Sequence, residues 1–268
     1  MTNETHIHHV SDLHIHTFSQ LLLALPFLVG FVLYLYAVIF SNRYYKQWPF
    51  SRTMFWSLGV IFATAALVGP LAERAQTDFT VHMVGHLLLG MAAPLLMVLA
   101  APMTLLMRTL KVEQARRLTR LLKSRIVHFY TDPVVASILN IGGLWILYTT
   151  GLYEVMHHSL YLHMLIHIHV FLAGFLFTVS LIGIDPTPYK RSYVYRSVVA
   201  VTAFSIHGIL SKYIYAFPPS SVPVGQAELG SMIMYYGGDV IDAFLFFILC
   251  LQWFRTTRPR LLLQAGEF

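Results

Sequence analysis

Seven runs of mostly apolar residues dominate this 268-residue chain, near 20–41, 53–72, 80–107, 133–151, 160–184, 193–217 and 231–254. A helix needs about 20 such residues to cross a hydrocarbon core of roughly 30 Å, and only a segment that satisfies its own backbone hydrogen bonds survives there. The runs therefore predict an all-α, polytopic integral membrane protein built as a seven-transmembrane helix bundle. Charge agrees: 11% of residues are Asp, Glu, Lys or Arg, where soluble domains carry about 25%. The net charge of +6 reflects few acids, 12 against 18 Lys and Arg, rather than a basic stripe, so a nucleic-acid partner is excluded. One cysteine leaves no intramolecular disulfide and no CxxC motif. No Lys or Arg precedes the first run, which is too long for the core of a cleavable signal. Pro94 and Pro102 should kink the third run or end it early.

Positive charge orients the bundle, because Lys and Arg are retained on the cytoplasmic side. Sixteen of the 18 basic residues fall in the alternate segments 42–52, 108–132, 185–196 and 255–268, leaving only Arg74 and Lys212 elsewhere. The expected arrangement is an extracytoplasmic His-rich tail over 1–19, a membrane domain over 20–254 and a cytoplasmic tail over 255–268, with the N-terminus outside and the C-terminus cytoplasmic. Within the longest basic loop, Ala115, Leu118, Leu121, Leu122 and Ile126 recur at helical spacing among Lys and Arg. This predicts an amphipathic helix over 112–127 lying in the membrane interface.

The 14 histidines follow the opposite rule. His6, His8, His9, His14 and His16 sit in the tail, His82 and His86 open the third run, and His157 and His158 precede the fifth. His163, His167 and His169 lie in the outer half of the fifth run and His207 in that of the sixth, so only His128 belongs to the cytoplasmic side. Coordinating side chains within a span are expensive and face a bundle interior, a cavity or an ion. His82 with His86, and His163 with His167, are i,i+4 pairs, so each pair projects from one helix face. Two such pairs at matched depth offer four nitrogen ligands, and imidazole suits Cu, Zn, Fe and Ni. His207, Met83, Met164, Met232 and Met234 are candidate secondary or soft ligands, the thioethers favouring Cu(I). The alternative for the histidines is hydrogen bonding between helices, and for the methionines ordinary core filling. His169 points to another face. Asp239 and Asp242, one turn apart after Gly237-Gly238, are possible charge partners for a cation, for Lys212 or for a histidine.

At these residues the chain resembles the CtaG family of caa3-type cytochrome c oxidase assembly factors, which are polytopic membrane proteins. The resemblance is carried by His82-Met83-Val84-Gly85-His86 leading into Ala93-Pro94-Leu95-Leu96 and Ala101-Pro102. Tyr161-Leu162-His163-Met164 through His167 to Phe175-Leu176-Phe177, and Gly230-Ser231-Met232-Ile233-Met234-Tyr235, continue it over most of the chain. It implies a non-enzymatic assembly factor of the bacterial cell membrane that delivers copper, as Cu(I) or Cu(II), to the oxidase at the extracytoplasmic face. Its expected partners are cytochrome c oxidase subunits and the lipid bilayer, with a homodimer left open. Two other readings stand beside it: a seven-span zinc hydrolase, in which three histidines activate water, and a haem b protein with bis-His ligation. A transporter is a fourth, but no hydropathy repeat supports it.

Overall fold

The structure is a computed structural model describing residues 3–185 and 190–258, with side chains placed from Gln20 onward. The histidines of the N-terminal tail and residues 259–268 of the expected cytoplasmic tail therefore lie outside the described side chains. All elements among the described residues are helical. In chain order they are α1 (Asn3–Tyr44), α2 (Phe50–Leu67), α3 (Pro70–Arg74), α4 (Phe79–His86), α5 (Ala93–Leu99), α6 (Pro102–Thr109) and α7 (Val112–Leu122). There follow α8 (Arg125–Tyr130), α9 (Pro133–Ser137), α10 (Gly143–Thr149), α11 (Leu152–His158), α12 (Leu160–Ile182), α13 (Tyr193–Ala216) and α14 (Val224–Thr257). A π-helical segment, Leu87–Ala92, joins α4 to α5, and a second, Ile138–Gly142, joins α9 to α10.

Six helical stretches are long and apolar enough to cross a membrane: Gln20–Tyr44, Phe50–Leu67, Phe79–Leu99, Leu160–Ile182, Tyr193–Ala216 and Val224–Thr257. The remaining expected span is Pro133–Thr149, and after it the chain bends by 80° into α11. Thr150 takes an extended conformation, and its hydroxyl accepts from Leu152 N, so the chain restarts as a new helix. The third run ends early, at Leu99, as Pro102 predicts: Ala101 adopts a left-handed conformation (φ 52°) and Pro102 opens α6 in a new direction. Asp185 fastens this break by accepting from Met103 N, Thr104 N and the Thr104 hydroxyl at 3.0, 2.7 and 2.6 Å, which satisfies donors that a helix start leaves free. The expected amphipathic helix over 112–127 is two helices, α7 and α8, separated where Ser124 turns to cap Val127 N.

The bundle is apolar outside as well as inside. Val32, Leu33, Val198, Phe244 and Phe247 are each at least 61% exposed, which water would penalise and lipid does not. Connectivity separates the chemistry of the two ends. At one end Arg52 and Arg108 flank the Trp48 ring, Arg191 pairs with Asp132 at 2.7 Å, and Arg196, Gln252 and Lys190 donate to the carbonyls of Leu181, Ile182 and Gly183 that close α12. Cationic and amide donors at a helix C-terminus satisfy its orphan carbonyls and its dipole together. The start of α4, the start of α12, the end of α13 and the start of α14 form the other end, where the histidines lie.

Candidate metal centre

Asp78 starts the site by capping α4, accepting from Thr80 N at 2.8 Å and Val81 N at 3.4 Å. Gln226 of α14 adds a hydrogen bond from Phe79 N at 3.0 Å. So anchored, α4 directs His82 and His86 inward, 9% and 7% exposed. Together with His167 of α12 they line a small cavity of about 30 Å³, walled by Leu89, Leu147 and Tyr148. That is room for a water or a bare ion and little more.

The closest buried pairing joins α4 to α13. The rings of His86 and His207 have centroids 6.4 Å apart and are tilted by 34°, and Nε2 of each is buried with no hydrogen-bond partner. Leaving a buried nitrogen unpaired costs about 1–3 kcal/mol, and these two atoms lie on neighbouring rings. A metal held by one nitrogen of each ring, at about 2.0–2.1 Å, sets the centroids roughly 6 Å apart. Space for the His207 ring exists because Gly238 of α14 has no side chain: a Cβ there would stand 2.6 Å from His207 Cε1. Gly90, in the π-helical segment just after His86, and Gly174 of α12 approach so closely that a Cβ on Gly174 would meet the Gly90 carbonyl oxygen. Small residues at such crossings let membrane helices come together.

Hydrogen bonds set the tautomers nearby. His167 Nδ1 donates to the His163 carbonyl and His157 Nδ1 to the Tyr153 carbonyl, both at 2.8 Å, so each leaves Nε2 with a free lone pair. His82 Nε2 bonds the Tyr148 hydroxyl at 3.1 Å. The His163 ring lies against that of His167, centroids 4.1 Å apart. His169 turns away to donate from Nε2 to the Leu139 carbonyl, as its position two residues beyond His167 suggests.

Of the candidate residues, His82, His86 and His167 share a cavity and His207 joins them through His86. The methionines are scattered: Met83 and Met234 fill an apolar cluster with Phe79, Leu210 and Ile214, Met164 packs with Phe171 on another side, and Met232 is 45% exposed. Asp242 is buried, whereas Asp239 is exposed, and no ion pair reaches either among the described residues. Lys212 lies over the Tyr235 ring instead, 5.1 Å from its centroid. Among the described residues no three His, Cys, Asp or Glu side chains stand together at metal-binding distance, so the arrangement is one of pairs. His157 is the member that spacing did not single out. The 80° bend brings α11 back over the bundle and sets His157 6.4 Å from His82, ring to ring. The breaker Thr150-Gly151, after 17 apolar residues, is the signal that could have found it.

Residues 32–256 match the family described as cytochrome c oxidase caa3 assembly factor (Caa3_CtaG). The chain is also 28% identical over 196 residues to "Uncharacterized protein ML1998" of Mycobacterium leprae (strain TN), covering 70% of this chain and 29% of that protein. It is 31% identical over 169 residues to "Uncharacterized protein Mb0105" of Mycobacterium bovis, covering 60% of this chain and 26% of that protein. The chain thus spans under a third of the length of these relatives. No solved structure matches it. The family match takes in every apolar helix from the second half of α1 to the end of α14, and the chain belongs to the caa3-type cytochrome c oxidase assembly factors, CtaG.

Proposed function

We propose that this assembly factor holds copper, as Cu(I), at the histidine end of its bundle and hands it to a cytochrome c oxidase subunit. The observation that carries the reading is the pair of buried, unpartnered Nε2 atoms on His86 and His207, 6.4 Å apart by ring centroid. Two imidazole nitrogens on neighbouring rings suit Cu(I), which accepts two ligands in line, whereas zinc takes four, or three and a water. A cargo ion must also leave, and two ligands release more readily than four. The positive-inside rule places the Arg-rich end in the cytoplasm and the histidines at the outer face of a bacterial cell membrane.

Metal analysis of the purified protein after anaerobic Cu(I) loading tests this. One copper per chain, lost in His86→Ala and in His207→Ala, is the expected result. Stoichiometric zinc that copper does not displace, or no metal in the loaded wild type, overturns it.

A further inference from the structure

We infer that His157 and His82 form a loading station through which the ion passes between the loop end of the bundle and the buried His86–His207 pair. This rests on the copper reading above and adds a route to it. A polar cavity of about 230 Å³ opens at the loop end, lined by Gln76, Tyr153, Glu154, His157, His158 and Gln226. His157 is half-buried at its floor, with Nδ1 committed to the Tyr153 carbonyl and Nε2 left as a lone pair. Its ring centroid is 6.4 Å from that of His82, and His82 lines the inner cavity together with His86. His86 in turn lies 6.4 Å from His207.

The four rings therefore form an unbroken series from an open vestibule to a closed pair, each step spanned by one shared ion or one helical turn. Phe79 and Tyr153 stand beside the first step, so the nitrogens there are flanked by rings that offer no competing strong ligand. The first and last steps have the same centroid spacing, 6.4 Å; His82 Nε2 bonds the Tyr148 hydroxyl, so the ion takes His82 at Nδ1 or displaces that hydrogen bond. Transfer is ligand exchange: the incoming imidazole lone pair binds the ion as the outgoing Cu–N bond lengthens. No electron moves, and each neutral imidazole keeps its one N–H proton. Among the described residues no three ligating groups gather along the way, and a tight three- or four-ligand site on the route would trap the ion.

The test is the rate at which bathocuproine disulfonate withdraws Cu(I) from the loaded full-length protein in detergent, followed by absorbance in stopped flow. His157→Ala is expected to keep one copper per chain and to slow withdrawal at least tenfold, while His157→Met, which restores a soft ligand, recovers most of the rate. His169→Ala, whose ring turns away to the Leu139 carbonyl, leaves the rate unchanged. Retained stoichiometry confirms that His157→Ala is folded. Withdrawal within twofold of wild type in both His157 variants overturns the relay while leaving the copper site intact. No copper on wild type overturns the copper reading, and the relay with it.

Discussion

His207 of α13 lies in a gap that exists because residue 238 of α14 is glycine. An added Cβ would stand 2.6 Å from His207 Cε1 and 3.1 Å from its Nδ1, closer than packed atoms come. Gly238→Ala must push the ring off its position opposite His86. We expect a destabilisation of about 1–3 kcal/mol from overpacking and a clear weakening of Cu(I) binding. The double variant Gly238→Ala/His207→Ala should be more stable than the two single effects added, because the clash is gone. Thermal unfolding of the four proteins in detergent measures this coupling.

The contact between Gly174 and the Gly90 carbonyl sets the approach of α12 to the π-helical segment that follows His86. Gly174→Ala meets backbone and cannot be relieved by a rotamer change. It is expected to lower the yield of folded protein sharply, costing about 3 kcal/mol or more. Gly85→Ala, with nothing within 4 Å of the added methyl, should be neutral. Size-exclusion profiles of the two variants decide it.

Tyr34 sits at the junction of α1, α2 and the break before α6. Its hydroxyl accepts from Trp48 Nε1 and donates to the Ala100 carbonyl, both at 3.0 Å, and its ring stacks on Trp56. Tyr34→Phe keeps the stack but leaves a buried donor and a buried acceptor unpaired, a loss of about 1–3 kcal/mol. A fall in the thermal midpoint with copper stoichiometry unchanged is the expected outcome, since the junction is at the far end from the histidines.

The Asp132–Arg191 pair gives a pH dependence. Burial alone would raise the Asp132 carboxyl, but the Arg191 hydrogen bond, the Val134 N–H, the guanidinium charge and the Tyr195 hydroxyl together hold it below its ordinary value. Because the folded value is depressed, its stabilisation is present in full above the ordinary Asp value of about 3.9 and is lost as pH falls through the lowered one. Arg191 is half exposed, so the pair contributes about 1 kcal/mol or less. Arg191→Gln should be slightly less stable than wild type at pH 7, with the difference shrinking as pH falls below the ordinary Asp value of about 3.9, as read by thermal melts across that range.

Orientation is open to a direct measurement, since Cys250 is the one native cysteine. In a Cys250→Ala background, Ser220→Cys at the histidine end should react with a membrane-impermeant maleimide on intact cells. Gln114→Cys on α7 should react only after lysis. The reverse pattern would put the histidines in the cytoplasm.

Class of fold, number of apolar runs and the separation of basic from histidine-rich ends were legible in one dimension, because each follows from run length and alternation. The match of 32–256 to the family agrees with the resemblance that His82-Met83-Val84-Gly85-His86 and its companions carry. Helix interruptions were partly legible: Pro102 marks the end of the third run and Thr150-Gly151 the end of the fourth, but hydropathy gives no sign that α11 then turns by 80°.

Periodicity shows which side chains share a face of one helix, so it paired His82 with His86 and His163 with His167. It carries no information about which face meets which neighbour. That was decided by close approaches at Gly90, Gly174 and Gly238 and by the bend before α11, which set His86 against His207, brought His157 to His82, and left Met83 and Met234 in an apolar cluster. The sequence by itself determined that the histidines collect at one end of a membrane bundle. Only tertiary structure decided which of their rings become neighbours, because helix rotation and crossing depend on contacts between residues far apart in the chain.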